Sequence, residues 1–247
     1  MRREWFLFMV SLLPGAVLAG HAGSDWPEPV KEYYTGSVLF DRLEVARTEN
    51  DDNRAVWDML GWWGGDSHRL VFKSEGENTQ NDGEPTDLES AELLYGYRLT
   101  PYWSLQAGLG TRGELSSDAD LENYAVVSFM GLAPYWFEMD NSLVLNEEGD
   151  LQFIGEAEYD VQLSQASYLQ PRMELTANLN ESEEYERPSG FSNLRLGLRY
   201  RHEIIREFAP YIGVFWDRAL GNTADQLSDR GDDTDEAGMV IGARLWF

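Results

Sequence analysis

The chain has 247 residues, with 44 Asp and Glu against 19 Lys and Arg, a formal net charge of -25 and no cysteine. The acidic excess excludes nucleic acid as a partner, because phosphate binding needs clustered Lys and Arg, and the absence of cysteine excludes disulfides and thiolate metal sites. An aromatic content of 13% excludes a disordered acidic chain, so a large apolar surface must be buried or lie in lipid.

The first residues have the features of a secretory signal peptide. Two arginines precede an apolar run at 5–13, and Val17-Leu18-Ala19 fits a small-residue cleavage site. We therefore expect residues 1–19 to direct Sec-type export and to be removed, with a cut after Ala22 as the alternative. Residues 20–36 would then form a short periplasmic N-terminal segment.

Beyond this leader, apolar residues recur at every second position, and the residues between them are largely polar or charged. Leu194, Leu196 and Leu198, for example, alternate with Arg195, Gly197 and Arg199. This period predicts antiparallel strands with one apolar and one polar face. About twelve strands are predicted, in chain order at residues 37–48, 53–64, 68–77, 87–99, 103–113, 123–133, 136–146, 151–164, 168–180, 191–204, 209–220 and 236–247.

The connections between these strands alternate between short and long, with only two brief exceptions on the long side, at 50–52 and 147–150. An even strand number with short turns at one rim and long loops at the other is typical of outer-membrane barrels. We therefore predict an all-β fold, in which residues 37–247 form a transmembrane antiparallel β-barrel with short periplasmic turns and long acidic extracellular loops. A soluble β-sandwich is the alternative, because its strands also alternate.

Aromatic residues cluster near the predicted short turns, where a barrel in a membrane carries an interfacial girdle. The predicted girdle consists of Trp62, Trp63, Tyr102, Trp103, Tyr135, Trp136, Phe208, Tyr211, Trp246 and Phe247.

Three long strings of residues carry a resemblance to a known family. They are Gly61-Trp62-Trp63-Gly64-Gly65-Asp66, Leu132-Ala133-Pro134-Tyr135-Trp136-Phe137-Glu138, and Arg206-Glu207-Phe208-Ala209-Pro210-Tyr211-Ile212-Gly213-Val214. Strings of this length are more specific than a short motif. With them the chain resembles the copper resistance protein B family of outer-membrane proteins, from about Ser37 onward.

The resemblance implies a role in copper resistance and homeostasis at the cell outer membrane of a Gram-negative bacterium, by copper ion binding or by control of copper passage. It implies the copper ion as ligand, without a high-affinity site evident in the sequence. Outer-membrane lipid and lipopolysaccharide, the barrel assembly machinery and periplasmic copper-handling proteins are the expected partners. Family members often carry a Met- and His-rich N-terminal extension, whereas residues 20–35 hold only His21 and no Met.

Candidate metal ligands lie on the polar faces of three consecutive predicted strands, where they would form one acidic wall. These carboxylates are Glu138, Asp140, Glu156, Glu158, Asp160 and Glu174. Two interpretations stay open: a salt-bridged polar interior, with Arg172, Arg195, Arg199 and Arg201 facing the same lumen, or a cation path with a weak divalent site. Carboxylate oxygens alone would not select copper over magnesium or calcium.

Imidazole and thioether groups are the other possible copper ligands. His68 and His202 are candidates, although each is isolated in sequence and their spatial pairing cannot be deduced. The side chain of Met130 could face either way. Four further methionines fall on faces predicted to contact lipid, namely Met59, Met139, Met173 and Met239.

Enzymatic activity is not expected from these motifs. An outer-membrane phospholipase also has twelve strands, but it needs a serine activated by histidine in a His-x-Ser pattern. His68 is followed by Arg69-Leu70 and His202 by Glu203-Ile204. The alternative function is therefore a general small-solute porin or a structural outer-membrane barrel without copper specificity.

Overall fold

The computed structural model describes residues 33–49, 53–79, 86–116 and 121–247. The expected signal peptide and most of the expected N-terminal segment lie outside these residues. Within them the elements are β1 (Thr35–Thr48), β2 (Asn53–Gly64), β3 (His68–Thr79), β4 (Thr86–Arg98), β5 (Trp103–Leu115), β6 (Glu122–Ala133), β7 (Phe137–Asn146), β8 (Leu151–Glu158), β9 (Val161–Gln162), β10 (Ser167–Asn178), β11 (Gly190–His202), β12 (Phe208–Ala219), α1 (Gly221–Arg230) and β13 (Asp235–Trp246), with a single 3-10 turn at Pro134–Trp136.

The strands form one closed antiparallel sheet. Each pairs with its neighbours in chain order, and β1 closes the ring by pairing with β13. The short β9 and the longer β8 both pair with β10, so together they occupy one of twelve positions around the barrel. The predicted twelve-strand all-β barrel is confirmed, and each predicted strand agrees with the structure to within two residues at either end.

The break between β8 and β9 has a cause in the neighbouring strand. Glu158 pairs with Arg172 and Val161 pairs with Leu169, so the interruption lies opposite Pro171. Proline has no backbone N–H to donate to the sheet. The ladder is therefore incomplete at this point, although the Tyr159 N–H still donates to the Pro171 carbonyl at 3.2 Å.

A bulge in β1 shapes the seam of the barrel. The pairing of β1 with both β2 and β13 shifts register after Phe40. A bulge lets two successive side chains point to the same face of a sheet. Asp41 and Arg42 accordingly both contact charged lumenal groups, Asp41 at 2.9 Å from Arg244 and Arg42 at 3.2 Å from Asp58.

The outer face of the barrel is apolar. Leu109, Met239 and Ile241 are all exposed, and such a band with a polar interior is what a bilayer requires of a barrel. Exposed aromatics lie at the short-turn rim, here called the periplasmic rim, and the opposite rim is the extracellular one. Among the described residues, no helix combines the length and the apolar character needed to span a bilayer.

Two residues of the predicted aromatic girdle face the lumen instead. Trp62 packs against an interior apolar cluster, and Tyr211 is buried and donates a 2.9 Å hydrogen bond to Glu44. Both residues occupy strand positions whose side chains point into the lumen. Their place near the rim led to the girdle prediction, but the alternation of side chains along the strand sets their direction. The interior cluster consists of Val71, Leu94, Tyr124, Val126 and Val144.

The long connection predicted at 221–235 contains α1. The helix ends at Gly231, whose φ of 84° is left-handed and whose N–H donates to the carbonyls of Leu227 and Ser228. Glycine adopts this conformation without steric cost and commonly ends helices. The helix is short, and its acidic sequence lacks a wide apolar stripe, so the pattern resembled that of a loop.

Candidate functional site in the barrel lumen

The predicted acidic wall exists as one continuous surface on β7, β8 and β10. Glu138 lies opposite Glu158, and Asp140 lies opposite Glu156. Glu156 in turn lies opposite Glu174 on β10. Directly opposed carboxylates repel one another, so the wall needs a cation within it.

Arg172 supplies that cation. Its guanidinium lies 2.9 Å from Glu156, 3.4 Å from Glu158 and 3.8 Å from Glu174. It also lies 3.6 Å from Asp58 on β2. The side chain is only 4% exposed, so a single buried arginine holds carboxylates from three strands of the barrel. The four arginines predicted to face the lumen, Arg172, Arg195, Arg199 and Arg201, all make ion pairs there.

The remaining members of the predicted wall have separate partners. Asp160 accepts a hydrogen bond from Arg201 at 2.5 Å. Asp140 pairs with Lys73 and accepts a 2.5 Å hydrogen bond from the Ser128 hydroxyl. Within the described ranges, Glu138 has no Lys or Arg at ion-pair distance.

Several of these ion pairs cross the lumen. Arg195 on β11 approaches Glu89 on β4 to 3.8 Å, although these strands lie half-way around the ring from each other. The contacts of Arg172 with Asp58 and of Lys73 with Asp140 likewise join strands that are not neighbours. The lumen is therefore bridged by side chains, and it is not a wide open pore.

A cavity of about 490 Å³ lies in the middle of the barrel. Its described lining is strongly acidic, with ten carboxylates against three basic side chains. The carboxylates are Asp41, Asp58, Glu75, Glu89, Glu92, Glu138, Asp140, Glu156, Glu158 and Glu174, and the basic residues are Lys73, Arg112 and Arg244. Five of the six predicted carboxylates thus share one cavity, and Asp160 lies outside its lining.

The two candidate histidines lie away from this cavity. His68 stacks on Tyr95, and its Nδ1 lies 2.6 Å from the Tyr95 hydroxyl on the exposed side of the sheet. His202 Nδ1 lies 2.9 Å from the Ser167 hydroxyl. The strands that carry them, β3 and β11, are not neighbours.

The structure therefore does not bring the histidines together with the carboxylates. In the part of the chain that the structure describes, no group of three or more His, Asp or Glu side chains is arranged to hold a metal ion. An acidic cavity of this kind attracts cations electrostatically.

One residue of the lumen, Met130, has a position that the sequence did not reveal. Met130 lines the central cavity, and its sulfur accepts a 3.5 Å hydrogen bond from Gln106. The sequence left its direction open because the surrounding 129–133 segment is apolar or small throughout. The alternation of buried and exposed residues along β6 settles it.

The extracellular mouth is narrowed by the β10–β11 loop (residues 179–189). Arg187 of this loop reaches Glu122 on β6, donating hydrogen bonds of 3.0 and 2.8 Å to its two oxygens. Glu122 also accepts a bond of 2.7 Å from Arg112 and one of 2.9 Å from Asn146. The loop is thus fixed to a strand several positions away around the ring.

A second tether joins this loop to the β7–β8 connection. Hydrogen bonds from Ser182, and then from Asn146 and Asn180, hold the pKa of Asp150 below its ordinary value. Because the native pKa is lowered, this tether is fully present above the ordinary carboxyl pKa and is lost as the pH falls through the lowered value. A vestibule of about 480 Å³ lies between the loop, α1 and the barrel wall.

Comparison with known proteins decides the family. The sequence model of Copper resistance protein B precursor matches residues 34–247. The chain belongs to the copper resistance protein B family. It is 39% identical over 210 residues to Copper resistance protein B of Escherichia coli, covering 85% of this chain and 69% of that protein. It is 32% identical over 232 residues to the Copper resistance protein B homolog of Pseudomonas syringae pv. tomato, covering 94% and 76%.

Solved structures support the fold of this copper resistance protein B family member. The NanC porin superposes with a TM-score of 0.54 at 12% sequence identity, covering 84% of this chain and 98% of the porin. At this identity the likeness concerns the fold alone. The predicted family and the predicted barrel of outer-membrane type are both confirmed.

Proposed function

We propose that the protein takes part in copper tolerance by drawing metal cations, copper among them, into its acidic central cavity and by limiting their passage across the outer membrane. One observation carries this proposal. Ten carboxylates line the described part of the cavity, against three Lys and Arg side chains. Clustered carboxylates favour cations electrostatically.

The acidic excess persists when arginines behind the lining are included. Arg42, Arg172 and Arg195 pair with carboxylates of the cavity. Counting them leaves ten acidic against six basic groups in the described residues. Because the walls have a low dielectric constant, the remaining negative charge is focused on the cavity.

The bridged lumen favours restricted passage over general solute diffusion. Large open porins leave an aqueous channel along the barrel axis. Here ion pairs span the interior, including the one between Arg195 and Glu89, and the β10–β11 loop narrows the extracellular mouth. A general small-solute porin, the alternative function, would require a wider path.

Neutralising two unpaired cavity carboxylates tests the proposal. Glu92 and Glu138 line the cavity and have no described Lys or Arg at ion-pair distance, so their removal strands no buried cation. We expect the Glu92→Gln/Glu138→Gln variant to lose about fivefold in cation preference, because each charge ~8 Å from an ion contributes about 0.5 kcal/mol even at the dielectric constant of water. Reversal potentials in planar bilayers under a dilute potassium chloride gradient measure this preference.

The matched control is Glu183→Gln/Glu184→Gln, which removes the same charge from the exposed β10–β11 loop. This control should retain nearly all of the selectivity. Equal selectivity in the cavity variant and the wild type would refute a cation-selective lumen. In cells lacking the gene, the wild-type protein should restore survival in copper, and the cavity variant should restore less.

A further inference from the structure

A second cavity, of about 250 Å³, lies toward the periplasmic rim. Its described lining shares three residues with the central cavity: Leu60, Met130 and Gly131. The two cavities therefore meet at this position. Of the shared residues, only Met130 carries a side chain that can ligate a metal.

Met130 has a polar neighbour with unused hydrogen-bonding capacity. The Gln106 amide nitrogen donates to the Met130 sulfur at 3.5 Å. Gln106 is only 4% exposed, and its amide oxygen has no hydrogen-bond partner in the described structure. Leaving such an acceptor unpaired in a buried site costs free energy, so a ligand that approaches Met130 meets an available oxygen donor.

Carboxylates dominate the central cavity lining, which also includes the thioethers of Met59, Met130 and Met139, and of these three methionines Met130 is the one that lies where the two cavities meet. Carboxylate oxygens are hard ligands that attract many cations, whereas a thioether is a soft ligand that selects copper(I). We propose that Met130 and Gln106 form a transient copper(I) contact where the two cavities meet, and that this contact gives the acidic lumen its preference for copper. The inference rests on the proposed function, in that cations must first enter the central cavity.

The contact is suited to passage because it is incomplete. One thioether and one amide oxygen bind a metal more weakly than a closed set of ligands does. Movement of an ion through a protein requires binding that is favourable enough for entry and weak enough for release. Asp140 lies opposite Met130 on β7 and already pairs with Lys73 and Ser128. Its carboxylate therefore does not complete the ligand set formed by Met130 and Gln106.

Silver(I) is a suitable probe, because it is soft like copper(I) and does not change oxidation state in air. In the purified full chain with ¹³C-labelled methionine methyl groups, we expect the Met130 resonance to shift on silver addition and not on zinc addition. Met130→Leu keeps the size and apolar character of the side chain. Silver affinity, measured by competition with a chelator, should fall by at least about tenfold in Met130→Leu and in Gln106→Leu.

The matched control is Met173→Leu, which removes a thioether from an exposed position on the outer face and should leave silver affinity unchanged. Equal silver affinity in Met130→Leu, Met173→Leu and the wild type would overturn this inference while leaving the cation selectivity of Glu92 and Glu138 as a separate result. Absence of cation selectivity in the wild type would overturn the proposed function and, with it, the role of Met130 in copper passage. Heat-dependent electrophoretic mobility confirms that each variant is folded.

Discussion

Replacing Arg172 with methionine should destabilise the barrel by about 3–5 kcal/mol, the usual cost of removing one partner from a buried charge network. Without the guanidinium, Glu156 would face the opposed Glu174, with Glu158 beside them, and no arginine would lie between the three carboxylates. Asp58 would lose a partner across the lumen. Urea unfolding in lipid vesicles, followed by tryptophan fluorescence, measures the difference in the free energy of unfolding.

An exposed arginine provides the control for this prediction. Arg230 pairs with Glu186 at 2.6 Å, but both side chains are at least half exposed, so Arg230→Met should cost less than about 1 kcal/mol. Adding Glu156→Gln and Glu158→Gln to Arg172→Met should recover part of the lost stability, because it removes the repulsion. Wild-type stability in Arg172→Met would show that Arg172 does not hold the acidic wall together.

Replacing Arg187 with glutamine should increase the ion conductance of the barrel. Arg187 fixes the β10–β11 loop over the extracellular mouth through two hydrogen bonds to Glu122. Charge-assisted bonds of this kind contribute about 1.5 kcal/mol or more, so the fraction of barrels with the loop displaced should rise by about tenfold. Glu122 keeps its bonds to Arg112 and Asn146 in this variant. Single-channel recording in planar bilayers measures the change.

The pH dependence of this conductance separates the two tethers of the loop. The Asp150 carboxyl has a lowered pKa because of its hydrogen bonds to Ser182, Asn146 and Asn180, so it holds the loop at neutral pH and releases it in acid. Conductance of Arg187→Gln should therefore rise further as the pH falls through the lowered pKa. Glu183→Gln, at an exposed position of the same loop, is the control and should conduct like the wild type. Unchanged conductance in Arg187→Gln would exclude a gating role for the loop.

Most of the fold could be predicted from the sequence, because a membrane barrel requires apolar and polar side chains to alternate along each strand and the sequence shows this alternation. Period two assigns each side chain to a face, and the short turns set which strands are neighbours. The acidic wall on β7, β8 and β10 could therefore be located before its register was known. The bulge after Phe40 could not be located from the sequence, because no break in the alternation within residues 35–48 identifies an extra residue.

The candidate site was predictable in composition but not in connectivity. Ion pairs across the lumen, such as Arg195 with Glu89, join residues far apart in sequence, and no local pattern relates them. The position of Met130 in both cavity linings and the contact of Arg187 with Glu122 also depend on residues that are far apart in sequence. The histidines show the converse: imidazole chemistry made His68 a candidate, whereas its place on the lipid-facing phase of β3 separated it from the carboxylates.

The ion pairs across the lumen also constrain how the barrel can be assembled. Arg172 and Arg195 lie in the C-terminal half of the chain, whereas Asp58 and Glu89 lie in the N-terminal half. In a half-built sheet Arg172 and Arg195 would keep the carboxylates of their own half, but Glu89 and Asp58 would lack these arginines across the lumen, which is costly in hydrocarbon. Neutralisation becomes complete only when both halves curve around a common axis. Insertion should therefore be strongly cooperative, and an open curved sheet should not accumulate as a stable intermediate.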